Sequence, residues 1–494
     1  VKRKRRGRHD FTFYVSRFTT SALLRAMPVP VISVAQMREW EVATWASGQT
    51  ESVVIARVGE YLARRAHALT RRNDAIVLLA GRGHNGDDVR AMRPHLRERS
   101  VRLIDVTKPD ETLPEICEAL QQSPALIIDG LFGIGLSRPL ANDWQRVIAC
   151  VNDARCRVLA VDVPSGLDAQ TGRPLPAAIR AALTITIGAP KRGLLVHSAA
   201  AFVGRLQVAE DVGLIPCPCN SELQWTLPGD FAGHPPPRPS DGHKGTFGHA
   251  AIVAGSVGYH GASVLAARGA QRARPGLITL FTQPEVFGPV AAQLQAVMIQ
   301  PWRDAMDFSK FTAVLFGPGL AAENLSSCVR ELMQQLWRTS TSPVIVDASA
   351  LGWLPREEPP PLAIRVITPH PGEAARLLGC ETITIQRDRV AALRALAKQF
   401  NCWVVLKGQH TLIGRAEGEL FVNSSGNSGL AQGGSGDLLA GYIAGWLAQP
   451  LLQNDPLLAL RHAVFGHGAA ADRLSRRRQN WIVEELAEEL GGNE

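Results

Sequence analysis

Between residues 34 and 68 apolar positions recur at helical spacing, with Val54, Ile55, Val58, Tyr61 and Leu62 on one face, and the pattern predicts helix there. It then changes to brief apolar runs: Ala75-Ile76-Val77-Leu78-Leu79, Val101-Arg102-Leu103-Ile104, Ala125-Leu126-Ile127-Ile128 and Val158-Leu159-Ala160-Val161, separated by helix-length stretches. Strands buried on both faces read as such unbroken runs, so the rhythm predicts a parallel sheet covered by helices. Around residues 233–240 four prolines fall within five positions, which excludes helix and central strand and places a domain boundary. The alternation then resumes at Ala250-Ala251-Ile252-Val253, Leu277-Ile278-Thr279-Leu280, Val314-Leu315-Phe316, Val344-Ile345-Val346, Val366-Ile367-Thr368 and Val404-Val405-Leu406. The small-residue run Gly261-Ala262-Ser263-Val264-Leu265-Ala266-Ala267 predicts a helix packed closely on the second sheet. The expected architecture is α/β: two αβα domains in tandem, 27–230 and 231–494, behind a leader of residues 1–26.

With 494 residues, 46% hydrophobic and 20% charged, the chain carries enough apolar surface for packed cores and is not a disordered polymer. No apolar stretch approaches the roughly 18 residues of a membrane-spanning helix, so no membrane partner is expected. The net charge of +8 suggests nucleic acid until it is located: residues 1–26 hold eight Lys/Arg against Asp10 alone, so the body is nearly neutral. No nucleic-acid partner is expected. The leader reads as a disordered or mis-assigned extension, with Met27 as the start. Eight cysteines show no CxxC spacing, which argues against zinc and a disulfide framework and for a cytoplasmic location.

In open parallel sheets ligands collect at the carboxyl ends of strands. After the first run comes Gly81-Arg82-Gly83-His84-Asn85-Gly86-Asp87-Asp88, a glycine-rich turn opening a helix, whose N–H groups suit a phosphate. After Ile128 come Asp129 and Gly133-Ile134-Gly135, and after Val161 come Asp162 and Pro164-Ser165-Gly166-Leu167-Asp168. Singly, each also reads as an ordinary turn or helix cap. Together they bring carboxylates, an amide and a hydroxyl to one sheet edge, where oxygens can hold a hard cation and a carboxylate can move a proton.

These three motifs resemble the signatures of the NAD(P)H-hydrate epimerase domain, over about residues 33–215. The resemblance implies a Rossmann-like domain in which Asn85, Asp129 and Ser165 help hold potassium. It also implies that Asp162 touches the hydrated nicotinamide as acid/base, and that His84, Asn85, Gly86, Asp88, Gly133, Ile134 and Gly135 line the dinucleotide. The loop departs from the family's: His84, Asp87 and Val89 stand where it has an Asn and two Gly.

The densest motif is Gly426-Asn427-Ser428-Gly429-Leu430-Ala431-Gln432-Gly433-Gly434-Ser435-Gly436-Asp437, running into Leu438-Leu439-Ala440-Gly441. Glycines ending at a helix start turn N–H groups and the positive helix end toward an anion, with Asp437 beside it. Amides that take up charge on a transferring phosphoryl and a carboxylate that accepts a hydroxyl proton are what phosphoryl transfer to an alcohol requires. A flexible glycine loop with an Asp cap is the plainer alternative. Lys407-Gly408-Gln409-His410-Thr411 and Thr368-Pro369-His370-Pro371-Gly372-Glu373 each follow a strand, and two prolines hold His370 and Glu373 in a rigid turn. Gly317-Pro318-Gly319-Leu320 and Asp347-Ala348 end two more strands.

Over about residues 238–485 this set resembles the ADP-dependent NAD(P)H-hydrate dehydratase, a ribokinase-like fold. The resemblance implies Asp437 as base, Gly433, Gly434, Ser435 and Gly436 as anion hole, Gly319, His370 and Asp437 against the hydrated dinucleotide, and Lys407, Gly408, Gln409, Thr411 and Gly436 at the nucleotide. Ser349 replaces a family acid, and Arg274-Pro275 replaces small residues. The combined resemblance implies a bifunctional metabolite-repair enzyme, isomerase and lyase, using potassium, magnesium and ADP, and expected to be a homo-oligomer. A vitamin-precursor kinase with a non-catalytic N-terminal binding module is the alternative.

Overall fold

The computed structural model describes residues 28–304, 306–323 and 325–492; the leader 1–26 and the expected start at Met27 lie outside the described residues. The first strand, β1 (Val29–Pro30), is followed by two helices where the sequence pattern suggested one, Val34–Ala46 and Glu51–Leu69. The break falls where Gly48 takes φ +90°, a conformation L side chains rarely adopt. Ser33 starts the first helix with a capping box: its Oγ accepts from Gln36 N at 3.1 Å and Gln36 Oε1 accepts from Ser33 N at 2.8 Å.

Six strands then form an all-parallel sheet: β2 (Ala75–Ala80), β3 (Ser100–Asp105), β4 (Leu126–Gly130), β5 (Val158–Val161), β6 (Leu183–Ile187) and β7 (Arg205–Ala209), in the order β3-β2-β4-β5-β6-β7. Connections run outward in opposite directions from β2 and β4, so a crevice opens at their carboxyl ends. The first four strands follow the predicted apolar runs. Strands β6 and β7 escape that pattern because polar residues interrupt them; Thr184 and Thr186 are fully buried, and Thr184 Oγ1 donates to Val203 O at 2.7 Å.

The second sheet has eleven strands. Beside β1 it contains β8 (Leu223–Trp225), β9 (His249–Val253), β10 (Leu277–Thr282), β11 (Met298–Pro301), β12 (Ala313–Phe316), β13 (Val344–Val346), β14 (Arg365–Ile367), β15 (Trp403–Leu406), β16 (Leu412–Gly414) and β17 (Leu420–Val422). Their order is β1-β8-β17-β16-β15-β14-β13-β12-β9-β10-β11. From β15 through β11 neighbours are parallel, so the turns after β9, β12, β13, β14 and β15 share one edge. The chain has joined this sheet before the proline run: β8 pairs in parallel with β17, and β1 pairs antiparallel with β8. Residues 29–30 and 223–225 are thus bonded to the second sheet, and one apolar core continues from Val163, Leu206 and Val208 to Trp225, Val314 and Val422.

The predicted small-residue helix spans His260–Ala273, and its small residues serve another helix rather than the sheet alone. A Cβ on Gly269 would stand 2.1 Å from Leu438 O, and one on Gly441 would stand 1.8 Å from Ala266 O, so this helix lies almost backbone to backbone against Ser435–Leu447. Gly441→Ala is therefore expected to cost about 1–3 kcal/mol by overpacking. Urea denaturation should show the midpoint falling at unchanged slope.

Candidate active sites

At the crevice of the first sheet, Gly83 takes φ +88° and hands the chain to the helix His84–Met92. A Cβ on Gly86 would stand 2.0 Å from Gly81 O, so this turn admits only glycine there. Asp87 and Val89 sit within the helix with ordinary backbone, so the glycines they replace are not required for conformation. The Asp87 carboxylate accepts from Arg90 Nη1 at 2.9 Å, which balances its charge. His84 is exposed and pairs with Glu51.

Asn85 is buried, and its Nδ2 donates to Phe132 O at 2.8 Å and Val161 O at 2.7 Å. Asp129, fully buried at the end of β4, accepts from Ser165 Oγ at 2.6 Å, Ser165 N at 2.8 Å and Leu131 N at 3.3 Å. Burial pushes its carboxyl up to about 6, against the pull of these hydrogen bonds. Ser165 Oγ in turn accepts from Phe132 N at 2.9 Å. The structure thus brings Asn85, Asp129 and Ser165 together around Phe132, offering oxygens of a carboxylate, a hydroxyl, an amide and two backbone carbonyls.

Asp162 follows β5 with φ +62°, strained for a non-glycine residue and fixed by its partners. Its Oδ1 accepts from Lys191 Nζ at 2.5 Å, Ile187 N at 3.0 Å and Thr186 Oγ1 at 3.1 Å. Lys191 is wholly buried and spends its remaining donors on Thr186 Oγ1 and Ile187 O, at 3.1 and 2.9 Å. Sequence reasoning missed Lys191. It lies just past β6 in Ala189-Pro190-Lys191, so the strand-end rule that found Asp162 would have found it once β6 was recognised.

Asp162 and Asp88 border the same cleft, of about 920 Å³, with Met37, Trp45, Val58 and Phe132 among its apolar walls. The turn Gly133-Ile134-Gly135 closes one side, and a Cβ on Gly133 would press 3.0 Å from Asn85 Oδ1. Burial, then the negative charges of Asp162, Asp87, Glu41 and Glu51, push the Asp88 carboxyl well above its usual range. Glu41, a second residue missed from the sequence, lines the cleft and is raised by burial and then by Asp162.

At the edge of the second sheet Gly317 takes φ +129°, where a Cβ would stand 1.8 Å from Asp347 O, and Gly319 takes φ +65° against Tyr259 O. Gly317 lets the turn after β12 lie flat on the start of the turn after β13, and Gly319 lets it lie against the turn after β9. Asp347 follows β13, and its Oδ1 accepts from Lys407 Nζ and from Thr368 Oγ1, both at 2.6 Å. Lys407 Nζ also stands 3.9 Å from Glu373 Oε2. The predicted nucleotide-site lysine therefore lies within a carboxylate cluster. Asp347 and Glu373 hold its ammonium above its usual range although burial opposes them. Its neighbour Gly408 is exposed with φ +135°, Gln409 is exposed, and Thr411 Oγ1 donates to Gly408 O at 3.0 Å.

His370 caps the helix Pro371–Leu378: its Nδ1 accepts from Gly372 N at 3.0 Å and Glu373 N at 3.4 Å, while Glu373 Oε2 accepts from His370 N at 2.8 Å. An accepting Nδ1 puts the proton on Nε2, and burial lowers the imidazole's affinity for a second. The half-exposed ring thus offers a neutral N–H donor.

The glycine-rich loop enters the helix Ser435–Leu447 through Gly434 at φ +90°. Asp437 lies in its first turn, where burial and then the charge of Asp347 push its carboxyl up to about 7 while Lys407 pulls it down. A Cβ on Gly436 would stand 3.4 Å from Lys407 Nζ, so the helix start and the Lys407 cluster are one site. Sequence reasoning named Asp347 and Glu373 as edge residues without foreseeing that they share Lys407.

A family model described as NAD(P)H-hydrate dehydratase matches residues 250–491, and one described as YjeF-related protein N-terminus matches 104–193. A bifunctional NAD(P)H-hydrate repair enzyme of Coxiella burnetii is 33% identical over 464 residues, covering 89% of this chain and 93% of its own. One from Gloeobacter violaceus is 33% identical over 492 residues, covering 90% and 94%. Among solved structures, the ADP/ATP-dependent NAD(P)H-hydrate dehydratase of Bacillus subtilis, co-crystallised with ATP and magnesium, is 32% identical with a TM-score of 0.46, covering 52% of this chain and 91% of that one.

Proposed function

This chain belongs to the bifunctional NAD(P)H-hydrate repair enzymes, and from that premise we propose how its two sites divide the work. The function is repair of hydrated NAD(P)H by epimerisation and dehydration, which displaces the alternative of a vitamin-precursor kinase with an inert N-terminal module.

In our reading dehydration belongs to the second domain. The observation that carries it is Asp437: a carboxyl raised to about 7 in the first turn of a helix that the chain enters through Gly434 at φ +90°. Hydroxide leaves the hydrated ring poorly. As the hydroxyl oxygen attacks the terminal phosphorus of ADP, Asp437 takes its proton, the bond to the bridging oxygen breaks, and AMP departs. The ring nitrogen's lone pair then expels phosphate, and loss of a proton from the neighbouring carbon restores the double bond. The amides of Gly433, Gly434, Ser435 and Gly436 face the transferring phosphoryl, Lys407 to Thr411 border the nucleotide, and Gly319 and His370 contact the dinucleotide. Among the described residues no three His, Cys, Asp or Glu gather as a metal cage. Magnesium bound with ADP would offset the charge of its phosphates.

Epimerisation belongs to the cleft of the first domain. Asp162, its Oδ1 fixed by Lys191, serves as base, and Asp88 across the same cleft, its carboxyl pushed well above the usual range by burial, serves as acid. His84 and the turn Gly133-Ile134-Gly135 border the dinucleotide, whereas Gly86 is buried in its helix and does not line the cleft. The donor set of Asp129, Ser165 and Asn85 is made of oxygens and fits potassium, which would tie the two loops together when bound. Cytoplasmic location and homo-oligomeric assembly complete the reading; sedimentation velocity reads the second.

The test is ADP-dependent repair of an epimer mixture: complete conversion to NAD(P)H, with AMP and phosphate released, requires both sites, whereas arrest at half means the first is inert. A stable phosphorylated alcohol would overturn the dehydratase assignment. Because Asp437 must be ionised to accept a proton, kcat/KM for dehydration should rise with pH through about 7. Removing the cation that lowers it, by Lys407→Met, should move the inflection upward. A profile flat from pH 5.5 to 8.5 would remove Asp437 as base.

A further inference from the structure

The loop that enters the dehydratase site is anchored at its far end, residues 426–429, by a buried carboxylate. Asp472, 4% exposed on the helix Pro456–Arg477, accepts from Gly426 N at 3.0 Å through Oδ2 and from Asn427 Nδ2 at 2.9 Å through Oδ1. Asn427 Oδ1 then accepts from Gly429 N at 3.0 Å and Ser475 Oγ at 3.2 Å. Gln432 Nε2 closes the turn on Gly429 O at 2.6 Å, and the next residue is Gly433. Hydrogen bonds thus lead from Asp472 through Asn427 and Gly429 to Gln432, the residue joined directly to the first amide that faces the phosphoryl.

The cation that balances Asp472 belongs to the other domain. Arg205, first residue of β7 and therefore part of the epimerase sheet, donates from Nη2 to Asp472 Oδ2 at 2.7 Å. A buried carboxylate stripped of its cation is left as uncompensated charge, which loosens what it holds. We infer that Arg205 is a positioning residue for the dehydratase, through which the epimerase domain holds the nucleotide loop of its neighbour in shape. The inference rests on reading residues 433–436 as the nucleotide's phosphate contacts.

The experiment compares full-length wild type, Arg205→Met, Arg205→Lys, Asp472→Asn and the Arg205→Met/Asp472→Asn pair, measuring both activities and the melting temperature of each. Arg205→Met should raise KM for ADP by about 5-fold or more, with a smaller change in kcat, and leave epimerisation within assay error. Arg205→Lys should restore most of the affinity. The double variant should be no worse than the more impaired single one, because both changes break one contact. Unchanged KM for ADP in Arg205→Met, or equal losses in both activities with a falling melting temperature, would overturn the inference. Failure of the underlying phosphate-loop reading would look different: Gly436→Val would then leave KM for ADP untouched.

Discussion

Asp437→Ala lowers ADP-dependent dehydration by about 10²- to 10⁴-fold, the usual worth of a positioned base, while the epimers of the hydrate continue to interconvert. The size of the effect follows from the surroundings. A carboxylate in water is too weak a base to take an alcohol's proton, but burial and the nearby Asp347 bring Asp437 to about 7, within reach of neutral pH. Lys407 keeps it from rising further, so ionised base and proton affinity are balanced. Asp437→Asn keeps the shape and abolishes proton acceptance, so it should lose nearly as much. The readouts are initial rates of NADH recovery and AMP release, with AMP binding by calorimetry as the control for site integrity. Full rate in either variant would mean that another group takes the proton.

The second large effect is expected in the other domain. Asp162→Asn should slow epimerisation by a similar factor, about 10²- to 10⁴-fold, without changing dehydration of the epimer the second site accepts. In an epimer mixture this appears as fast conversion of half the substrate followed by a slow phase. The substitution also leaves the wholly buried Lys191 without its anion, a loss that destabilises strongly when charge is left unpaired. The Asp162→Asn/Lys191→Met pair removes both charges together and should recover stability but not epimerisation. Recovery of the rate in that pair would assign Asp162 a purely structural part.

Much of this was legible in the sequence because parallel strands buried on both faces announce themselves as short apolar runs, and because ligands gather where such runs end. Asp129, Asp162, Asp347, His370 and Lys407 were found that way. Elements whose burial is not apolar were hidden: β6 carries Thr184 and Thr186 inside, and without it Lys191 had no strand end to follow. The three-residue β8 was hidden for another reason, since its parallel neighbour β17 lies almost two hundred residues away. Periodicity reports which face is buried, not which strand lies alongside. The carboxylate cluster around Lys407 could not be read either, because Asp347, Glu373 and Lys407 meet through the ordering of β13, β14 and β15 in space and Asp437 joins them from the helix after β17.

Strands β1 and β8, contributed by the first part of the chain yet bonded to the sheet of the second, bear on how such a protein can be taken apart. Scissors placed at the proline run would carry both strands off with the wrong partner, lay bare the indole of Trp225, now 1% exposed, and leave β17 with an open row of amides and carbonyls. Both pieces would then be prone to clump. Separating the two reactions would need two incisions, one on each side of the epimerase sheet, so no single break can part them cleanly.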